Sequence, residues 1–157
     1  MKVKYIMMGT PASCTPETNL GSAVEIMWNR NCGILPVVDA QQEVIGVVTD
    51  RDICVALGTR NRLPGEVTVK EVASFRPFTC TPEDDISTAL ATMTQGKVRR
   101  LPVVNPEGKL EGILSMDDIV LHSDAKNAGR ASELTHDNVV ETLQKVYTQT
   151  LPRVLEH

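Results

Sequence analysis

The chain has 157 residues, of which 41% are hydrophobic and 23% are charged, and its formal net charge is -4. This composition fits one ordinary globular unit, and the acidic balance argues against a nucleic-acid surface, which needs clustered Lys and Arg. No apolar run approaches the ~20 residues of a membrane helix, and the first residues lack the apolar stretch of a signal peptide, so we expect a cytoplasmic protein without a membrane or nucleic-acid partner.

Cysteine and histidine spacing gives no sign of a metal site. The three histidines have no ligand spacing with the cysteines, and the cysteines contain no CxxC pair. We therefore expect no metal, and we interpret the cysteines as small buried residues. The four are Cys14, Cys32, Cys54 and Cys80.

An internal repeat with an offset of 66 residues organises the sequence. The tetrapeptide Cys-Thr-Pro-Glu starts at Cys14 and again at Cys80, and Leu-Pro-Val-Val starts at Leu35 and again at Leu101. Aligning residues 1–53 with the segment 66 positions further on gives 16 identities without a gap. Two copies of one unit are therefore predicted, and because a single copy buries too little surface alone, the copies should pack together about an approximate two-fold.

The predicted domain bounds follow from this repeat. We expect the first repeat at residues 1–58, a linker at 59–66, the second repeat at 67–124, and a polar linker with a C-terminal amphipathic helix at 125–157. The linker lies in the stretch from Leu57 to Glu66, which is rich in Gly, Pro and basic residues and is typical of a loop.

The first predicted helix of each copy is amphipathic. Helical spacing of apolar residues predicts one buried stripe per helix, and Thr18 or Asn19 and Asp84 or Asp85 are the expected N-caps. The first stripe contains Leu20, Ala23, Val24, Met27 and Trp28, and the second contains Ile86, Ala89, Leu90 and Met93.

Two short strands and a second helix follow in each copy, which gives an α+β fold with the order strand, helix, strand, strand, helix. Pro36 and Pro102 predict that their strands lie at an edge of the sheet or where the sheet meets another element. Gly46 and Gly112, inside strands, predict close approach of a ligand or a partner element, or tight strand-on-helix packing. The predicted strands are Ile34–Val38, Val44–Thr49, Arg100–Val104 and Leu110–Ser115, and the second helices open at Asp50 and Met116.

The motif with chemical content stands where each second helix begins. Thr49 is followed three residues later by Asp52, and Ser115 by Asp118. A helix start offers free N–H groups to a phosphate, and a carboxylate beside it can accept both hydroxyls of a ribose. A plain helix cap explains the same pattern, because a hydroxyl and an acid at this spacing resemble a capping box.

Across about residues 1–124 the chain resembles a pair of CBS domains, often called a Bateman module. The resemblance rests on the repeated Leu-Pro-Val-Val, on the segments starting at Gly46 and Gly112, and on the period of 66 residues. It implies a disc-like regulatory module whose two clefts bind AMP, ADP or ATP, or less often S-adenosylmethionine or NAD-type ligands. It implies no enzymatic activity and no required cofactor.

In that family each cleft combines the Ser/Thr and Asp of one repeat with the residues before Leu-Pro of the other. In the first cleft, Asp52 would hold the ribose, Thr49 a hydroxyl or phosphate oxygen, and Arg51 would assist at the helix start. Arg99 and Arg100 would bind the phosphates through their guanidinium forks, and a solvated basic pair is the alternative explanation of these two residues. The full predicted site, in which Phe78 faces the adenine, is Thr49, Arg51, Asp52, Phe78, Val98, Arg99 and Arg100.

A second cleft is implied by the same rule, but it departs from the pattern. Gly33 stands where the other copy has Arg99, so the cleft has lost its obvious cations. We expect it to bind an uncharged nucleoside part, a different ligand, or nothing. Its residues are Cys32, Gly33, Ile34, Ser115 and Asp118.

The C-terminal segment predicts a helix from about His136 to Thr150, with an apolar stripe that must be buried on its own module or on a second chain. The family implies a homodimer and a separate effector protein. Three functions follow: a nucleotide sensor, a ligand-free dimerisation or interaction module, or an enzyme, which is disfavoured because no catalytic constellation is present. The stripe is Val139, Val140, Leu143, Val146 and Tyr147.

Overall fold

A computed structural model describes residues 1–123 and 134–148 of the chain. The elements are β1 (Met8–Gly9), α1 (Leu20–Arg30), β2 (Ile34–Val38), β3 (Val44–Thr49), α2 (Asp50–Arg60), β4 (Ser74–Phe75), α3 (Ile86–Gly96), β5 (Arg100–Val104), β6 (Leu110–Ser115), α4 (Met116–Leu121) and α5 (His136–Tyr147). Single 3-10 turns occur at Val3–Tyr5, Pro64–Glu66 and Val69–Glu71. The predicted element order occurs in both copies, which confirms the α+β class.

The elements gather into two compact units, each with its own core. One unit contains residues 1–9, 78–103 and the described residues from 112 onward, and the other contains residues 10–77 and 104–111. The short segment that leads into each sequence copy therefore belongs to the unit that is built mainly from the other copy. We call these units the repeat-2 unit and the repeat-1 unit, after the copy that supplies most of each.

Both prolines lie on edge strands, as predicted. In the repeat-1 unit β2 pairs antiparallel with β3, which also pairs with β4, so Pro36 needs no N–H for the ladder. In the repeat-2 unit the strand order is β1-β6-β5, which places Pro102 at the edge. Each proline carbonyl accepts a backbone N–H, from Cys14 at 3.0 Å and from Cys80 at 3.1 Å respectively.

The two strand glycines admit a neighbouring strand. A Cβ on Gly46 would lie 2.9 Å from the carbonyl oxygen of Ser74 in β4, and one on Gly112 would lie 2.8 Å from the carbonyl oxygen of Met8 in β1. Real Cβ atoms are not found at such distances, so both positions need glycine. The sequence predicts a close neighbour at Gly46 and Gly112, and in both units this neighbour is a short strand.

Two of the four cysteines belong to the cores. Cys14 and Cys80 are buried in the repeat-1 and repeat-2 units, and burial raises the pKa of their thiols to about 11 and about 12. Cys32 is only partly buried and Cys54 is exposed. The prediction that all four are buried is wrong for Cys54, because the core side of α2 is supplied by its neighbour Ile53.

The predicted stripe of the first helix is too wide. Leu20, Ala23 and Met27 are buried, but Val24 is 44% exposed and Trp28 is 84% exposed. Because each residue turns a helix by about 100°, Trp28 lies about 80° away from Leu20 and faces outward. The prediction that Val24 and Trp28 are buried is therefore wrong.

Helix α2 continues into the stretch that the sequence predicts as a loop. Helix α2 runs through Arg60 and ends at Asn61, which adopts the left-handed conformation with φ 49°. Leu57 packs against the core, and the Arg60 side chain donates to the Glu71 carbonyl oxygen at 3.1 Å. These contacts keep the first residues of the predicted loop helical, so the loop begins at Asn61.

Helix α5 packs on its own module, which confirms one of the two predicted possibilities. Val139 and Val146 are buried, and α5 contacts α3 and α4 within the repeat-2 unit. Val140 is 52% exposed and Tyr147 is 47% exposed, so the prediction that these two belong to the buried stripe is wrong. The predicted helix end at Thr150 lies outside the described residues.

Candidate functional site: the two helix starts and their neighbours

A reciprocal capping box starts α2. The Asp52 backbone N–H donates to Thr49 Oγ1 at 3.2 Å, and the Thr49 hydroxyl and backbone N–H donate to Asp52 Oδ2 at 2.7 and 3.0 Å. Both residues are partly buried. The structure therefore confirms the helix cap, which was one of the two explanations of this motif.

Helix α4 starts in the same way. The Asp118 N–H donates to Ser115 Oγ at 3.1 Å, and the Ser115 hydroxyl and backbone N–H donate to Asp118 Oδ2 at 2.5 and 2.8 Å. Two boxes of identical design thus occur 66 residues apart. Each cap fixes the carboxylate in one orientation.

The caps leave part of each carboxylate available. Both hydrogen bonds to Asp52 end on Oδ2, and both to Asp118 end on Oδ2. Among the described residues, no hydrogen bond ends on Oδ1 of either carboxylate. A held carboxylate with a second acceptor oxygen suits a diol, so the cap and the binding role are compatible.

In the repeat-1 unit, the residues before Leu-Pro lie beside the α2 start. Ile34 pairs with Thr49 in the β2–β3 ladder, and the Asp50 N–H donates to the Gly33 carbonyl oxygen at 3.2 Å. A Cβ on Gly33 would lie 2.9 Å from Asp50 Oδ2, so the Asp50 side chain occupies the space above this glycine. Cys32 is partly buried and directly precedes this contact.

In the repeat-2 unit, the two arginines lie beside the α4 start. The Met116 N–H donates to the Arg99 carbonyl oxygen at 2.8 Å, and Arg100 Nη2 lies 3.9 Å from Asp117 Oδ2. Arg99 is exposed and Arg100 is partly exposed. The structure thus brings both arginines together with Ser115 and Asp118 of their own repeat.

Phe78 and Val98 belong to the same unit as these arginines. Phe78 is 41% exposed, and a Cβ on Gly96 would lie 2.6 Å from its ring, so the ring lies directly over this glycine at the end of α3. Val98 packs against the repeat-2 core. Arg51 is exposed on the first turn of α2, in the repeat-1 unit.

The structure shows contacts around the two arginines that the sequence interpretation did not predict. Arg99 Nη1 donates to Tyr147 Oη at 2.9 Å, and Lys97 Nζ donates to the Lys145 carbonyl oxygen at 2.8 Å. Tyr147 was interpreted only as part of an apolar stripe, because no local motif relates a tyrosine to an arginine 48 positions earlier. The structure also pairs Asp117 with Arg100.

Neither a membrane span nor a metal cluster occurs in the described part of the chain. No helix among the described residues has the length and apolar character to cross a membrane. Within residues 1–123 and 134–148, no three His, Cys, Asp or Glu side chains converge as a metal site would require.

The repeated units and their capped helix starts define a tandem-repeat module with candidate polar ligand sites. A family model for the CBS domain matches residues 3–59 and 69–124, so the chain belongs to the CBS-domain family and carries two CBS domains in tandem.

Relatives include proteins of similar length and longer ones. The chain is 31% identical over 139 residues to the CBS domain-containing protein YhcV of Bacillus subtilis, covering 87% of this chain and 97% of YhcV. It is 32% identical over 102 residues to the uncharacterized protein MK0525 of Methanopyrus kandleri, covering 63% of this chain. The chain spans about half of that relative, 52% of its length.

Two similar solved structures hold adenosyl compounds. The CBS domain pair of protein MJ0100, in complex with 5'-methylthioadenosine and S-adenosyl-L-methionine, has a TM-score of 0.70 and 23% identity, over 77% of this chain and 94% of that one. CBSX2 in complex with AMP has a TM-score of 0.66 and 26% identity, over 76% of this chain and 93% of that one. At this identity the MJ0100 comparison shows the fold alone.

Proposed function

We propose that this chain is a regulatory module that binds an adenine nucleotide and passes the bound state to a separate effector protein by a change of conformation, without catalysis. The observation that carries the proposal is the pair of capped carboxylates, Asp52 and Asp118, each held by one oxygen with the other oxygen available. The ribose diol is the part of an adenosyl ligand whose hydroxyls would donate hydrogen bonds to such an oxygen. The AMP bound to CBSX2 supports this ligand class.

Phosphate recognition is the role we assign to Arg99 and Arg100. Both lie beside the start of α4, and the fork of N–H donors on a guanidinium matches the oxygens of a phosphate. Their unit also contains Ser115 and Asp118, so one repeat offers hydroxyl, carboxylate and guanidinium groups together. The family resemblance combines the same arginines with Thr49 and Asp52 instead, and this combination stays a prediction.

The assignment can be tested with isosteric variants. Asp52→Asn and Asp118→Asn each keep an amide oxygen for the cap but replace the second oxygen with an NH₂ group, which cannot accept a hydroxyl. Each variant is measured alone and combined with Arg99→Ala. Titration calorimetry with AMP, ADP, ATP, S-adenosylmethionine and NADH then shows which carboxylate belongs to the same site as the arginines. Non-additive losses identify the carboxylate and the arginine of one site. Wild-type protein that binds none of the five ligands would contradict the proposal.

A second candidate function is assembly, and the exposed apolar face of α1 favours it. Trp28 is 84% exposed and Val24 is 44% exposed, whereas Leu90, the counterpart of Val24, is buried in a core cluster that includes Val139 of α5. We propose a second copy of this chain as the partner of the bare α1 face. Light scattering should then show a dimer for wild type and a monomer for Trp28→Ala, and a monomeric wild type excludes this function.

A further inference from the structure

We propose that Tyr147 positions Arg99 for phosphate, so that nucleotide binding and the docking of α5 strengthen each other. This inference rests on the proposed function. It adds a residue of helix α5 to the nucleotide site and gives a route by which ligand binding affects α5.

Two contacts join the segment before β5 to the last turn of α5. Arg99 Nη1 donates to Tyr147 Oη at 2.9 Å, and the Arg99 guanidinium carbon lies 5.7 Å from the centre of the Tyr147 ring. Lys97 Nζ donates to the Lys145 carbonyl oxygen at 2.8 Å. A cation at the C-terminal end of a helix is favoured by the helix dipole, so both basic residues hold this end in place.

The contact leaves Arg99 able to bind an anion. A guanidinium has five N–H donors, and the Tyr147 hydroxyl oxygen takes one of them. The remaining donors are enough for the two parallel bonds by which a guanidinium holds a phosphate. The pair lines a pocket of about 190 Å³ in the repeat-2 unit, together with Arg100, Met116, Asp117, Val120 and Leu143.

The position of Tyr147 depends on the docking of α5. Val139 and Val146 are each 5% exposed, so the helix is held by burial of its apolar side. An Arg side chain held by a phenol loses less conformational freedom when it binds phosphate than a free one. Because coupling between two equilibria is reciprocal, a ligand that prefers the held arginine must also favour docked α5.

The coupling belongs to the second repeat alone. Gly33 stands at the position equivalent to Arg99, and Ile34 at that of Arg100. The first repeat therefore has no guanidinium at these positions for a tyrosine to hold. The affinity for a ligand without phosphate should not depend on Tyr147. Comparing ligands with and without phosphate therefore tests the proposal.

Tyr147→Phe tests the proposal, because it removes the hydroxyl and keeps the ring. Tyr5→Phe is the matched control, since Tyr5 is the other tyrosine and is 70% exposed. In titration calorimetry we expect Tyr147→Phe to weaken AMP binding about three- to tenfold, as the loss of one hydrogen bond does, with adenosine affinity unchanged. Hydrogen exchange should show that AMP protects the amides of α5 in wild type and protects them less in Tyr147→Phe.

Three results would overturn the inference: AMP affinity unchanged in Tyr147→Phe, AMP affinity increased, or AMP and adenosine weakened equally. An increase would show that Tyr147 competes with phosphate, and an equal loss would show a structural role only. If wild type binds none of AMP, ADP, ATP, S-adenosylmethionine and NADH, the proposed function fails and the inference fails with it. If Asp52→Asn or Asp118→Asn abolishes AMP binding while Tyr147→Phe binds normally, only the inference fails.

Discussion

Arg100 and Asp117 form a loose ion pair beside the start of α4, with 3.9 Å between Nη2 and Oδ2. Their side chains are 36% and 83% exposed, so the pair contributes at most about 1 kcal/mol to folding. The Asp117 carboxylate lines the same pocket as Arg99 and Arg100, so it would repel a phosphate bound there. Arg51 stands at the equivalent position in the first repeat.

Asp117→Asn should therefore strengthen phosphate binding. We expect AMP affinity to rise about two- to fivefold at low salt, because a nearby like charge is removed, and the gain should shrink as salt screens it. Calorimetry at two salt concentrations measures both effects. Glu107→Gln, an equal charge change at an exposed turn, is the control, and an equal gain in this variant would refute a local effect of Asp117.

The capping hydroxyls should stabilise the fold independently of any ligand. Thr49→Ala and Ser115→Ala each remove a cap and should cost about 1 kcal/mol, or roughly 2–4 °C in melting temperature. Thr49→Ser and Ser115→Thr keep the hydroxyl and serve as controls. Urea denaturation measures the free energy of unfolding. Equal losses in the Ala and the hydroxyl-retaining variants would mean that the cap is not the cause.

Three glycines should respond differently to alanine. Gly46→Ala and Gly112→Ala should destabilise the protein, because the new Cβ meets a strand carbonyl oxygen at 2.9 or 2.8 Å. Gly58 lies inside α2, and a Cβ added there would meet nothing within 4 Å, so Gly58→Ala should raise stability by about 0.5–1 kcal/mol. Thermal melts of the three variants distinguish the effects, and a stabilised Gly46→Ala would contradict the strand geometry.

Thiol reactivity should follow burial. The thiolate is the reactive form, and burial raises the pKa of Cys14 to about 11 and of Cys80 to about 12, so we expect iodoacetamide at pH 8 to modify exposed Cys54 first. The buried thiols keep their protons where unfolded thiols lose them. Stability should therefore fall as pH rises from 9.0 towards about 11. Urea denaturation at pH 8 and pH 10 measures this fall. Peptide mapping after labelling identifies the modified cysteines, and early labelling of Cys14 would contradict its burial in the core.

Local patterns in the sequence were sufficient to predict most of the fold. The four strands Ile34–Val38, Val44–Thr49, Arg100–Val104 and Leu110–Ser115 occur with the predicted bounds. Their bounds could be predicted because turn residues and helix caps lie directly beside them, and because the same signal occurs twice.

Features that depend on distant contacts could not be predicted from local patterns. Trp28 has the helical spacing of a core residue. Whether its side of α1 is buried, however, depends on which distant element packs against that side. Leu90, the counterpart of Val24, is buried, so the corresponding side of α3 is packed in the repeat-2 unit. The contact between Arg99 and Tyr147 likewise depends on how α5 docks.

The central claim is that the available oxygens of Asp52 and Asp118 bind an adenine nucleotide. The most direct measurement is the thermal shift caused by AMP in wild type and in the double variant Asp52→Asn/Asp118→Asn. AMP at a hundred times its dissociation constant should add about 2.7 kcal/mol, a shift of several degrees, in wild type and little in the double variant. An equal shift in both proteins, or no shift in wild type with AMP, ADP or ATP, would contradict the account.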